Sequence, residues 1–387
     1  MNNQNFKINF NGDKLPGLYL HIPFCIHKCF YCDFFSLTNV QDLDYFVQNL
    51  VQEIIIFKEL HNIKYAIDTI YFGGGTPSLL NPKHLETIMR TLDDNFILNP
   101  SSEITLEANP GILESLYLQD YKKLGINRIS LGVQTFDDNQ LKFLQRIHTS
   151  EQSIEAINKI RKIGIDNLSI DLIYGLPNQT LENWKTDLSI AAQIGAEHIS
   201  AYNLIYEDGT PLKKALQKGK IKLIDEELEE KLYFELINRL SENQYVQYEI
   251  SNFAKKGFES KHNSKYWEHI PYFGFGPSSH SFFKNTRSWN TKKINNYYSS
   301  IENRKLPIEN KEILTKSDLF IEKIMLQLRA KGLNNNEILK EFDIDILKVV
   351  KEKFPEINEY FIINGNLISV NAKGKYLINE IILTILN

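Results

Sequence analysis

The chain has 387 residues, 42% of them hydrophobic and 24% charged, with a net charge of −4. These are ordinary values for a globular protein of two or three domains, so disorder is excluded as the default and there is no basic surplus to suggest nucleic-acid binding. Met1 to Lys7 lack the apolar core of a signal peptide, and no later run reaches about 18 uninterrupted apolar residues, so a cytoplasmic protein without a transmembrane segment is expected.

From Gly17 to about Leu204 short apolar strands alternate with helical stretches. The strands read Leu18 to Ile22, Thr69 to Phe72, Glu103 to Ala108, Arg128 to Val133, Leu168 to Ile173 and His198 to Leu204. Between them, segments such as Leu43 to Leu60 and Leu181 to Ile194 carry apolar residues at helical spacing. Such a succession specifies parallel strands covered by helices, as an open barrel or a flat doubly wound sheet. In either, functional residues gather at the C-terminal ends of the strands.

The end of the first strand carries Cys25, Cys29 and Cys32, spaced C-x3-C-x2-C, and the chain has no other cysteine. Three clustered thiols in an otherwise cysteine-free chain point to a metal centre. A structural zinc site needs a fourth ligand, for which only His21 or His27 stand near. A four-iron cluster on three cysteines keeps one iron without a protein ligand, open to a small molecule. Loose thiols and a disulfide are the remaining readings; an odd cysteine count speaks against the latter.

Other strand ends carry polar groups. Strand two ends in Gly73-Gly74-Gly75-Thr76-Pro77, which suits either close backbone approach to a ligand or a tight turn before the helix near Pro82. Strand three ends in Glu107-Ala108-Asn109-Pro110, with Thr105 and Glu107 on the face opposite Ile104 and Leu106. Gln134 and Asp171 stand at the ends of strands four and five. From Ile205 the pattern stops. Glu226 to Asn243 reads as an amphipathic helix, and from Lys311 helices near Asp318 to Lys331, Asn335 to Glu341 and Ile344 to Lys353 precede an Asn364-Gly365 hairpin between Phe361 and Val370. That order suggests a winged-helix-like module, without the dense basic run of a DNA binder.

The cysteine spacing, Tyr31 before the third cysteine and the glycine run resemble the radical S-adenosylmethionine (SAM) superfamily. The stretches Tyr19 to Asp33, Ile70 to Leu80, Glu103 to Gly111, Gly125 to Phe136, Gln145 to His148, Leu168 to Thr180 and His262 to Trp267 resemble one branch of it, the oxygen-independent coproporphyrinogen III oxidase family with its HemW-type haem-chaperone relatives. The resemblance implies an α/β fold, a partial (β/α)6 radical-SAM barrel over 17–210, an extension carrying the HNxxYW motif over 211–310 and a small winged-helix-like α+β module over 311–387. It implies a [4Fe–4S] cluster on Cys25, Cys29 and Cys32. It implies SAM held by Tyr19, Tyr31, Gly74, Gly75, Thr76, Glu107, Gln134, Arg146 and Asp171, with Arg146 pairing the SAM carboxylate; an ordinary Glu107–Arg146 ion pair is the alternative. Two departures, Phe34 where the oxidases carry a fourth cysteine and a short leader before Cys25, favour the haem chaperones over porphyrin decarboxylation, which stays as the alternative function. Haem as a further ligand, a haem-acceptor protein and an electron donor such as flavodoxin or ferredoxin are then expected. His262, beside Tyr266 and Trp267, is the first candidate for axial haem ligand and His280 the second, against an ordinary hydrogen-bonded histidine.

Overall fold

A computed structural model describes residues 14–113 and 115–387; the leader Met1 to Lys7 lies outside them. Six parallel strands stand side by side in chain order: β1 (Gly17–Ile22), β2 (Ala66–Gly74), β3 (Ile97–Ala108), β4 (Arg128–Gln134), β5 (Asn167–Tyr174) and β6 (His198–Asn203). The connecting helices include Leu43–His61, Pro82–Asn95 and Leu181–Ile194, close to the ranges read from the sequence. Capping boxes at Asn81 and Thr180 start the latter two, and left-handed Gly195 ends the last.

The strands are two-faced. Leu18, Leu20, Ile70, Phe72, Leu106, Ile129, Leu131, Leu168, Ile170 and Ile199 point outward and are fully buried beneath the helices in one continuous core. Each such side chain stabilises the fold by roughly 1.5–3 kcal/mol. The register aligns the other face: Tyr19 opposite Tyr71, Tyr71 opposite Thr105, Glu107 opposite Ser130, and Asp171 opposite Ser200. The lumen is therefore polar and aromatic. β1 and β6 do not pair with each other, so the barrel is open, a partial (β/α)6 barrel.

Both free edges are extended into a 12-stranded sheet, which the sequence had not led us to expect beyond Ile205. On the β6 side lie β7 (Val246–Gln247) and β8 (Asn252–Ala254), antiparallel. On the β1 side β9 (Tyr272–Phe275) runs parallel to β1 and is followed by antiparallel β10 (His280–Phe283), β11 (Thr286–Asn290) and β12 (Ile308–Ile313). β7 to β11 have two to five residues, too few to display a period, and the six residues of β12 are all exposed, so they present no apolar face.

Helices Lys316–Leu328, Asn335–Phe342 and Ile346–Lys353 and the strands β13 (Leu333–Asn334), β14 (Phe361–Asn364) and β15 (Leu367–Val370) form a C-terminal module with its own core around Ile324, Leu328, Val350 and Ile368. The Asn364-Gly365 hairpin joins β14 to β15, as expected. Tyr233 donates from its hydroxyl to Ala372 O at 3.3 Å, and Lys375 Nζ to Gln247 O at 3.2 Å, tying the module to the barrel.

The HNxxYW segment forms the short helix Lys261–Trp267, packed under the N-terminal ends of the strands. Ser260 and the buried Glu103 carboxylate accept from its first amide groups, Glu103 from Lys261 N at 3.1 Å and His262 N at 3.0 Å. His262 Nδ1 shares a hydrogen bond with Thr69 Oγ1 and Nε2 with Tyr266 Oη, each at 2.9 Å, and the ring stacks on Tyr71. Burial, with Lys265 nearby, pushes its pKa down to about 3, so the ring is neutral. His262→Ala should therefore cost about 2–4 kcal/mol in denaturant unfolding, because two hydroxyls are left buried without partners.

Candidate functional site

The cysteine loop leaves the end of β1 and is closed at its base. Leu37 N donates to Pro23 O at 2.6 Å and Cys25 N to Leu37 O at 2.9 Å. Its tip is pinned twice, by Phe30 N to Leu144 O at 3.3 Å and Leu212 N to Phe30 O at 3.1 Å. The three free thiols line one cavity of about 490 Å³ at the C-terminal mouth of the barrel.

Glycine shapes the adjoining wall. Gly75 N donates to Ile22 O at 2.8 Å and Thr76 N to Phe24 O at 2.7 Å, so the β2 chain runs tight against the loop. A Cβ at Gly75 would stand 2.6 Å from Phe24 O, and one at Gly74, whose φ is +112°, 2.7 Å from the His21 ring. Only glycine fits this close approach. Gln134, at φ +71° on the end of β4, is held in a conformation side chains seldom adopt.

Tyr31, Gly74, Gly75, Thr76, Glu107, Gln134, Arg146 and Asp171 all line this cavity with the cysteines. Tyr19 does not; its hydroxyl shares a 3.1 Å hydrogen bond with His21 Nδ1 behind the wall. Glu107 accepts from Tyr71 Oη at 2.8 Å and Gly74 N at 3.1 Å rather than from Arg146. Burial pushes its pKa up to about 7, opposed by the Tyr71 bond and reinforced by Asp171. Asp171 is also raised, chiefly by burial, and accepts from Ser130 Oγ at 3.1 Å. Arg146 Nη1 donates to Cys29 Sγ at 3.4 Å, while Nη2 donates to Gly132 O at 2.8 Å and to Asn109 Oδ1. Thr76 Oγ1 donates to Cys25 Sγ at 3.6 Å.

His262 lies at the opposite end of the barrel, and both of its ring nitrogens are already hydrogen-bonded. As placed, neither is free to ligate haem iron. His280 is exposed and stacks on Trp289 with ring centroids 5.8 Å apart. The sequence reading gave no role to Asn109, Ser130 or Tyr202, which also line the cavity. The signal was present in the period-two alternation that placed Glu107 in the lumen, since Ser130 and Tyr202 occupy the same face of their strands.

The donor set fits an iron–sulfur cluster. Among the described residues no three His, Cys, Asp or Glu side chains converge on a single ion. A four-iron cluster instead needs thiolates spread around its corners, with an open side facing a cavity. Burial, and the mutual repulsion of the cysteines, raise the Cys25 and Cys32 thiols above their usual range, so a cation must offset the charge when they ionise.

Residues 19–190 match the family profile described as Radical SAM superfamily. The chain is 35% identical over 372 residues to the "Heme chaperone HemW" of Lactococcus lactis subsp. lactis (strain IL1403), covering 95% of this chain and 96% of that one. It is 34% identical over 376 residues to the protein of the same name from Bacillus subtilis (strain 168), covering 95% and 98%. Among solved structures, the coproporphyrinogen III oxidase HemN of Escherichia coli, described as a radical SAM enzyme, superposes with a TM-score of 0.82 at 26% identity over 96% of this chain and 90% of that one.

Replacing Cys25, Cys29 or Cys32 by serine should abolish the brown chromophore of anaerobically reconstituted protein. Iron and sulfide analysis checks this: about four irons per chain retained in the triple variant would contradict the assignment.

Proposed function

Because the chain belongs to the HemW family of the radical SAM superfamily, we propose that it is a haem chaperone, which binds haem and passes it to an acceptor protein with the help of a [4Fe–4S] cluster and SAM. The observation that carries the reading is one cavity on which three thiols and eight SAM-type residues converge, in a chain alike over 95% of its length to a protein named as a haem chaperone. Cys25, Cys29 and Cys32 would hold the cluster. When bound, it supplies an iron with no protein ligand, which the amino and carboxylate groups of SAM can chelate.

The chain's own residues supply the rest. Gly74, Gly75 and Thr76 offer a backbone edge close enough to meet the methionine end of SAM. Glu107 and Asp171 offer carboxylates to its ribose or ammonium donors, and Gln134 an amide. Arg146 already spends donors on Cys29, Asn109, Gly132 and Tyr31, and the N–H left over is a donor for a carboxylate. Tyr31 walls the cavity beside Arg146. Tyr19 supports the site from behind through His21. A flavodoxin- or ferredoxin-type electron donor and a cytoplasmic setting suit a cluster with one exposed iron. No helix among the described residues is long and apolar enough to cross a membrane.

The second reading, an oxygen-independent coproporphyrinogen III oxidase, is favoured by the fold shared with HemN. Against it stands Phe34, 70% exposed on the cavity rim, where the oxidases carry another cysteine. Incubating the reduced, reconstituted protein with SAM and coproporphyrinogen III should give no protoporphyrinogen, while haem-loaded protein should pass haem to an apo-acceptor. Sustained turnover to protoporphyrinogen would overturn the chaperone reading.

Glu107 gives the pH test. Its carboxyl ionises as pH rises through about 7, and only the ionised form accepts from SAM donors at both oxygens. SAM affinity should therefore rise from pH 6 to 8. Calorimetry should show that dependence flattened in Glu107→Gln, with binding weaker by about 2 kcal/mol at pH 8.

A further inference from the structure

An unbroken hydrogen-bonded strap crosses the cavity wall from one cysteine to another, and Asn109 is its middle link. Asn109 Nδ2 donates to Thr76 Oγ1 at 3.0 Å. Having accepted there, the Thr76 hydroxyl has one hydrogen left, and it points to Cys25 Sγ at 3.6 Å. On the other side Asn109 Oδ1 accepts from Arg146 Nη2, which Gly132 O also holds at 2.8 Å. That grip turns the other guanidinium nitrogen toward Cys29 Sγ at 3.4 Å. The strap is tight: a Cβ on Gly132 would stand 3.1 Å from Asn109 Oδ1 and 3.2 Å from Arg146 Nη2.

We propose that Asn109 is a positioning residue that fixes the hydrogen bonds of Thr76 and Arg146 to two of the three cluster thiolates and so sets the reduction potential of the cluster. The inference rests on the reading that these thiolates carry a [4Fe–4S] cluster. One-electron reduction adds negative charge that spreads onto the thiolate sulfurs. O–H and N–H donors aimed at those sulfurs stabilise the reduced state more than the oxidised one, which raises the potential. Asn109 touches neither sulfur. Without it the Thr76 hydroxyl is free to rotate, and Nη2 of the guanidinium keeps Gly132 O as its one acceptor of the two.

The test is a potentiometric titration of the reconstituted full-length protein with dithionite as electron source, read by the electron paramagnetic resonance signal of the reduced cluster. Iron, sulfide and melting temperature are measured on the same samples. Asn109→Leu should retain iron and sulfide while its reduction equilibrium moves about tenfold toward the oxidised form, or about 59 mV lower for one electron. Thr76→Val should move the same way and Thr76→Ser should stay near the parent. A merely structural role would lower the melting temperature or cluster content without moving the potential of the clusters that remain. A fully loaded Asn109→Leu at the parent potential overturns the inference. Should Asn109→Leu fail to load, the Thr76 pair decides, and equal potentials for valine and serine overturn it. Absence of any cluster in the parent overturns this inference and the cluster reading together, whereas a loaded parent with unshifted variants overturns the inference alone.

Discussion

The mouth of the barrel depends on how β1 and β2 continue past their ends. Gly75 N to Ile22 O and Thr76 N to Phe24 O extend the pairing of the two strands into the cysteine loop. Because these are backbone bonds, they fix where Cys25 stands relative to the Gly74–Thr76 edge whatever the side chains do. They require glycine at both 74 and 75, where any Cβ would meet the His21 ring or the Phe24 carbonyl. The same close approach puts the Thr76 hydroxyl beside the Cys25 sulfur and leaves backbone bordering the cavity instead of side chains. The glycine run and the cysteine run, about 40 positions apart in the chain, are thus two halves of one construction.

That construction explains which parts were legible in the sequence. The six barrel strands are buried on their outer face by helices, and each must present a row of Leu, Ile, Val or Phe there, such as Leu18 and Leu20 or Ile129 and Leu131. Those rows are what the apolar runs recorded. The lumen face follows from them by alternation, which sets Glu107 on the face opposite Ile104 and Leu106; Asp171, read from its place at a strand end, lines the same cavity. The helices starting at Pro82 and Leu181 begin where they were read, the second from its apolar spacing, and capping boxes at Asn81 and Thr180 fix both starts.

What the sequence hid was set by partners distant along the chain. β9 to β12 are short and owe their existence to a free edge of β1 more than 250 residues earlier, which no local period can signal. His262, in a motif that invited a haem-ligand role, serves as placed at the foot of the barrel, because Glu103, Thr69 and Tyr71 from β2 and β3 surround it. A buried neutral histidine bonded at both nitrogens and an axial ligand look alike in a string of letters. Asn109 is hidden for the same reason: its meaning lies in Thr76 and Arg146, which come from different loops.

The central claim is that the three thiols at the mouth hold a cluster with one iron left open to a small molecule in the cavity. Mössbauer spectroscopy of protein reconstituted with iron-57, recorded before and after SAM is added, tests it most directly. About a quarter of the iron signal, the iron without a cysteine, should separate from the rest when SAM binds. Iron subsites that stay unchanged by saturating SAM, or a stable site filled by zinc in place of iron, would contradict it.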